Sequence, residues 1–130
     1  MGDLQNMRIT KNATMSSADG LSNAVDLEGY RVSALDFSSG WDAVNRVTFQ
    51  GGEYGTATSP VYRNLYDRVG IEWQVSSGQV GSATGFSVIP DADLSLAISA
   101  HRYLRLRAGP ATASATPSTA VTISLVLVPL

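Results

Sequence analysis

The stretch "AVTISLVLV", residues 120–128, decides the fold class, because large apolar residues recur at every second position and Thr122 and Ser124 stand between the first of them. Side chains of a β-strand point alternately to opposite faces, so every second residue is predicted to share one buried face. These residues are Val121, Ile123, Leu125 and Leu127. A helix that crosses a bilayer would need about 20 apolar residues, so the stretch predicts a half-buried strand.

Six further segments have the same character, being short, rich in β-branched or aromatic residues, and bounded by Gly, Ser, Asp or Pro. They are residues 30–37, 46–50, 61–67, 71–77, 85–90 and 102–107. Alternation places Leu104 and Leu106 in the core and gives Ile71, Trp73 and Val75 one shared face. Together the strands predict an all-β chain folded as a single antiparallel β-sandwich, either a jelly roll or a galactose-binding-like sandwich.

Turn signals and two weaker segments complete the layout. "DRVG", residues 67–70, predicts a hairpin turn in which Gly70 has a positive φ. Residues 90–101 are compatible with one helical turn, capped by Asp91 or Asp93 ahead of Leu94 and Leu96. We divide the chain into residues 1–27, either a first strand and loop or an arm that orders against a partner, and a sandwich domain of residues 28–130.

Composition limits the function. The chain has 130 residues, a net charge of −2 and no cysteine, so it predicts one domain without disulfides or thiolate metal sites. The acidic balance argues against nucleic-acid binding. The N-terminus has neither the basic nor the apolar region of a signal peptide, and no segment is long enough for membrane insertion as a helix.

The sequence offers little catalytic chemistry. His101 is the single histidine, no G-x-S-x-G motif is present, and the carboxylates are scattered singly. Asp91 and Asp93 offer two oxygen ligands to calcium, which needs six or more, and helix capping is the simpler interpretation. We therefore predict no enzymatic activity, no cofactor and no metal.

The stretch "HRYLRLR", residues 101–107, contains the most distinctive candidate surface. As a strand it places Tyr103, Arg105 and Arg107 on the face opposite the core, where they could contact an acidic protein, a phosphate or a sugar ring. The alternative is an ordinary sheet face whose cations pair with acids on neighbouring strands.

Other candidate contacts are the segment Met1–Leu27, the long loop Gly51–Pro60, and the aromatic residues Trp41 and Tyr54. Trp41, Tyr54 or Tyr103 would have to be exposed to stack on a saccharide, whereas Trp41 is also suited to the core. If Met1–Leu27 is an arm, deletion of residues 2–20 is expected to abolish partner binding and leave the sandwich folded.

The order of these features resembles a family of small proteins encoded among the structural genes of tailed bacteriophages and prophages. The resemblance covers roughly residues 25–130 and rests on "GWDAVNRVTFQGG", "YRNLYDRVGIEWQVSS" and "HRYLRLRAGP", followed by the closing apolar strand. More distantly the layout is similar to galactose-binding-like sandwiches, although "GGEYGTATSPVY" stands where those have a short turn.

The resemblance implies a structural component of a tailed-phage particle, assembled in the bacterial cytoplasm and located in the virion. Such a component decorates the capsid or forms part of a head spike, neck, tail or fibre attachment. Its expected partners are other virion proteins and further copies of itself. The alternative function is a carbohydrate-binding module that contacts host surface polysaccharide.

Overall fold

A computed structural model of the chain describes residues 8–15, 20–37, 46–54, 60–76, 86–90, 92–109 and 121–129. The described chain contains nine strands and one helix. In chain order these are β1 (Ile9–Met15), β2 (Val25–Asp26), β3 (Tyr30–Phe37), β4 (Arg46–Tyr54), β5 (Pro60–Asn64), β6 (Gln74–Ser76), β7 (Phe86–Val88), α1 (Ala92–Ser99), β8 (Tyr103–Ala108) and β9 (Val121–Pro129).

The strands form two antiparallel sheets that pack face to face, which confirms the predicted β-sandwich. The first sheet has the order β1-β9-β3-β7, and the second has the order β2-β8-β4-β5, with β6 also paired to β4. The chain passes from one sheet to the other at each step from β1 to β4 and again at each step from β6 to β9. This strand order is that of a jelly roll, one of the two sandwich types that the sequence predicts.

The core lies between the two sheets and is built by alternation along the strands. Val121, Ile123, Leu125 and Leu127 of β9 are all fully buried, as predicted. The second sheet contributes side chains of the same kind from β4, β6 and β8, namely Val47, Phe49, Val75, Leu104 and Leu106. These five include the predicted core residues of β8.

The central strand β3 departs from strict alternation. Its buried residues Val32 and Leu35 are three positions apart, because the pairing of β3 with β9 shifts register between Val32 and Ala34. A bulge of this kind adds one residue to a strand, so side chains with odd spacing can face the same side. The Ser33 hydroxyl donates to the Val126 carbonyl at 3.1 Å and satisfies that group at the irregularity.

The N-terminal segment belongs to the sandwich wherever the structure describes it. β1 pairs with β9 over its whole length, and Ala13 and Met15 are fully buried. The Asn23 side-chain carbonyl accepts from the Thr14 N–H at 2.8 Å, so the chain that follows β1 covers part of its free edge. The first-strand alternative therefore holds for these residues, and deletion of residues 2–20 would remove a strand of the core sheet.

Two predicted elements differ in extent from the observed ones. The helix α1 is eight residues long instead of one turn, and it buries Leu94 and Ile98 and exposes Leu96. Asp93 lies within the helix and is therefore not its N-cap, and Asp91 lies outside the described residues. The predicted strand 71–77 pairs with β4 only at Gln74–Ser76. Ile71 is therefore 64% exposed, and its predicted place on a shared buried face is wrong.

Candidate functional surfaces

The predicted stripe of Tyr103, Arg105 and Arg107 lies on the outer face of the second sheet, but its members have different surroundings. Arg107 is only 7% exposed, because the segment that follows β5 folds over this end of the sheet. Its guanidinium donates to Thr48 Oγ1 at 3.1 Å, to Asn64 Oδ1 at 2.7 Å and to Glu72 Oε2 at 2.7 Å. The charge of Arg107 is therefore compensated inside the chain, as the ordinary-sheet alternative expects for a cation that pairs with an acid on a neighbouring segment.

Arg105 is held in place by the neighbouring strands. Its guanidinium carbon lies 3.6 Å from the centroid of the Tyr62 ring, and one terminal nitrogen donates to Gln50 Oε1 at 2.8 Å. The Tyr62 ring in turn lies across Gly52, where a Cβ atom would be 2.6 Å from the ring. Arg105 is therefore bound within the sheet face, although its contacts are an aromatic ring and an amide instead of the acidic partner that the ordinary-sheet alternative expects.

The remaining predicted contacts are distributed unevenly. Tyr103 is partly buried, and the guanidinium of Arg102 lies 5.5 Å from its ring centroid. Trp41 lies outside the described residues, and so does the side chain of Tyr54. In the predicted loop, Gly51–Tyr54 belong to β4 and Pro60 begins β5, so only residues 55–59 remain, and these are outside the described part of the chain.

A polar groove of about 500 Å³ at one end of the sandwich contains the single histidine. The His101 ring packs against Gly51, and its Nδ1 atom lies 3.6 Å from Glu53 Oε1, which also accepts from the Arg102 N–H at 3.0 Å. Next to the groove, Arg102 binds both carboxylate oxygens of Asp26 at 3.2 Å. That hydrogen bond lowers the pKa of Asp26 below its ordinary value.

After β5 the chain forms a hairpin (residues 65–73) in which Tyr66 pairs with Glu72. A second groove, of about 540 Å³, separates this hairpin from helix α1. We call it the hairpin–helix groove. Its hairpin wall includes Tyr66, Arg68, Val69 and Trp73, and its helix wall includes Asp93 and Ala97. Its volume is within the range of ligand pockets, roughly 300–1,000 Å³, and its lining combines aromatic, apolar and charged groups.

The turn beside this groove, which we call the hairpin tip (residues 67–71), is closed by four hydrogen bonds. Asp67 Oδ1 accepts from the N–H groups of Val69 at 3.0 Å and Ile71 at 2.9 Å. Two backbone hydrogen bonds complete the turn: the Gly70 N–H donates to the Asp67 carbonyl, and the Asp67 N–H donates to the Ile71 carbonyl. Gly70 has a φ of +87°, which confirms its predicted positive φ.

The described chain has six exposed large apolar side chains, most of them on the hairpin or on α1. They are Val61, Tyr66, Val69, Ile71, Ile89 and Leu96. Three of them belong to the hairpin, and Leu96 lies on α1 beside the groove residue Ala97. Single exposed apolar residues are common, but a concentration on one side of a small protein is typical of an interaction surface.

No direct signal in the sequence pointed to this surface. The sequence predicts residues 61–67 and 71–77 as two strands, and alternation gives Ile71, Trp73 and Val75 one shared face that is assigned to the core. The one available clue was the apolar Val69 inside the "DRVG" turn, where a polar residue is usual. Exposure of Tyr66 and Ile71 depends on how far the hairpin extends beyond β4, which only the tertiary structure shows.

Among the described residues, no three histidine, aspartate or glutamate side chains are arranged to hold a metal ion. The described chain also contains no helix of the length and apolar character needed to span a bilayer. Comparisons with protein families, with curated proteins and with solved structures find no match to this chain.

Proposed function

We propose that the protein is a structural subunit of a tailed-bacteriophage particle, which acts by binding other virion proteins and further copies of itself. The observation that carries the proposal is that four of the six exposed large apolar side chains of the described residues lie on the hairpin and on α1. Burial of such side chains against another protein is favourable, at about 25 cal/mol for each Å² of apolar area removed from water.

The architecture supports this function. A jelly roll is a rigid two-sheet body that viral shells use repeatedly, and it needs no catalytic group to act as a building unit. In the described chain, both candidate cationic groups of β8 are bound internally, Arg107 to Glu72 and Arg105 to Gln50 and Tyr62. The outer face of the second sheet is thereby stiffened, and the exposed apolar surface is left as the best described candidate for contacts.

The experiment is to induce and purify phage particles from the host that carries the gene and to quantify this protein by mass spectrometry against the major capsid protein. We expect it to sediment with the particles. A ratio close to that of the capsid protein would indicate head decoration, and a small fraction would indicate a neck, tail or fibre component. Particles from a strain in which the gene is deleted are the control.

Absence of the protein from intact wild-type particles would refute the proposal. The same particles, compared with those of the deletion strain for stability and for adsorption to host cells, would show which step of assembly or infection depends on the subunit.

A further inference from the structure

We propose that the hairpin–helix groove and the hairpin tip form the contact between two copies of this chain. The inference rests on the assembly function proposed above and names the surface and the partner. Its first support is exposure, since Val69 on the hairpin wall of the groove is 72% exposed and Leu96 on α1 is 69% exposed. An isolated subunit that leaves these side chains in water gains stability when another protein surface covers them.

The tip is closed by its own hydrogen bonds without a partner. The four hydrogen bonds around Asp67 and the left-handed conformation of Gly70 fix the backbone that presents Val69 and Ile71. A loop that is already ordered loses little conformational entropy on association, so its apolar contacts contribute more to affinity. Two exposed apolar residues on a turn built in this way are therefore suited to binding.

The surface contains both a projection and a groove. Val69 lies at the tip, and Trp73 and Ala97 line the adjacent groove. Trp73 is partly buried and packs against the hydrophobic core. In a contact related by a two-fold axis each copy offers the same patch, so a projection must lie beside a matching concavity. The hairpin and α1 provide that combination within one patch, which favours a second copy as the occupant.

The charges of the patch are also self-complementary. Arg68 is on the hairpin wall and Asp93 is on the helix wall, and neither has an ion-pair partner among the described residues. Asp67, the other acid of the groove, already accepts two N–H groups of the tip. A two-fold contact can pair Arg68 of each copy with Asp93 of the other, whereas a strongly charged partner would meet a patch whose three charged groups, Asp67, Arg68 and Asp93, leave an excess of only one negative charge.

Sedimentation velocity and light scattering of the full chain, up to about 1 mM, test the inference. We expect concentration-dependent self-association of the wild type. Val69→Asp should abolish it, whereas Val61→Asp, which places the same charge on an exposed apolar residue of β5 away from the groove, should leave it unchanged. Circular dichroism establishes that each variant is folded.

A charge exchange gives the sharper test. Arg68→Asp and Asp93→Arg should each weaken self-association about tenfold, and the double variant should restore it to within about threefold of the wild type. A chain that stays monomeric at about 1 mM, or a double variant no better than the single ones, would overturn the inference.

One competing occupant is a saccharide, since Tyr66 and Trp73 are aromatic and Asp93 can accept from hydroxyl groups. Shifts of the Trp73 indole resonance on addition of maltotriose or chitotriose to a monomeric protein would support that occupant and overturn the second copy. A chain that self-associates through this patch but is absent from phage particles would refute the proposed function alone. A particle protein that remains monomeric in solution would refute the inference alone.

Discussion

Glu72 and Arg107 form a nearly buried ion pair on which the stability of the second sheet is expected to depend. Their side chains are 13% and 9% exposed, and the carboxylate oxygen lies 2.7 Å from the guanidinium nitrogen. Glu72→Gln keeps the shape and a hydrogen-bond acceptor but removes the negative charge. Arg107 then keeps its bonds to Thr48 and Asn64, and no carboxylate compensates its charge.

The expected loss follows from two opposing contributions. Unit charges about 4 Å apart attract by about 4 kcal/mol at an effective dielectric constant of 20. The glutamine amide keeps part of the hydrogen bond and no longer has to be desolvated as an anion, and both effects reduce the loss. We therefore expect Glu72→Gln to lower the free energy of unfolding by about 2–3 kcal/mol.

The matched control is Glu28→Gln, which removes the same charge from the exposed ion pair with Lys11. Glu28 is 52% exposed, so its contribution is expected to be below about 1 kcal/mol and to decrease with added salt. Urea unfolding followed by circular dichroism gives both values by linear extrapolation. If the two variants lose the same free energy, or if Glu72→Gln is the more stable protein, the argument from burial is refuted.

Three further predictions concern the polar end groove and the hairpin. Arg102→Ala should raise the pKa of Asp26 towards its ordinary value, which a carboxyl NMR titration would show. The depressed pKa stabilises the fold above about pH 4, and this contribution is lost as the pH falls through the folded-state pKa. The variant should therefore lose less stability than the wild type when acid unfolding is followed through this range. Gly51→Ala should lower the free energy of unfolding by about 1–3 kcal/mol, since its Cβ would lie 2.3 Å from the His101 ring. In a double-mutant cycle, adding His101→Ala should recover part of that loss, whereas additive losses would contradict the packing of the two residues. Asp67→Ala should lower the free energy of unfolding by about 1–2 kcal/mol and should speed hydrogen exchange of the Val69 and Ile71 amides, which its carboxylate binds. Unchanged exchange would show that the carboxylate does not hold the turn.

The positions that build the core were predictable from local sequence. β3 coincides with the predicted strand at residues 30–37, and the four alternate residues of β9 are all buried. Period-two alternation identifies such strands because a half-buried strand needs apolar residues on one face only. The same argument held for Leu104 and Leu106 of β8, which are fully buried.

The candidate surface was predictable only in part. The same alternation placed Arg107 on the face opposite the core, yet the segment after β5 covers that face and supplies Glu72 as its partner. Alternation assigns a side of the sheet, and it contains no information about what lies over that side. The burial of Arg107 and the exposure of Ile71 therefore had to come from the tertiary structure.

The sequence by itself determined that this protein is a single all-β sandwich with a defined buried face on its main strands, because side-chain alternation is a local property of the backbone. The tertiary structure decided the jelly-roll order, in which β1 and β3 both pair with β9. It also decided that the hairpin and α1 face each other across a groove. Strand order and the juxtaposition of distant segments depend on how the chain closes over long sequence separations, where many pairings satisfy the same local pattern.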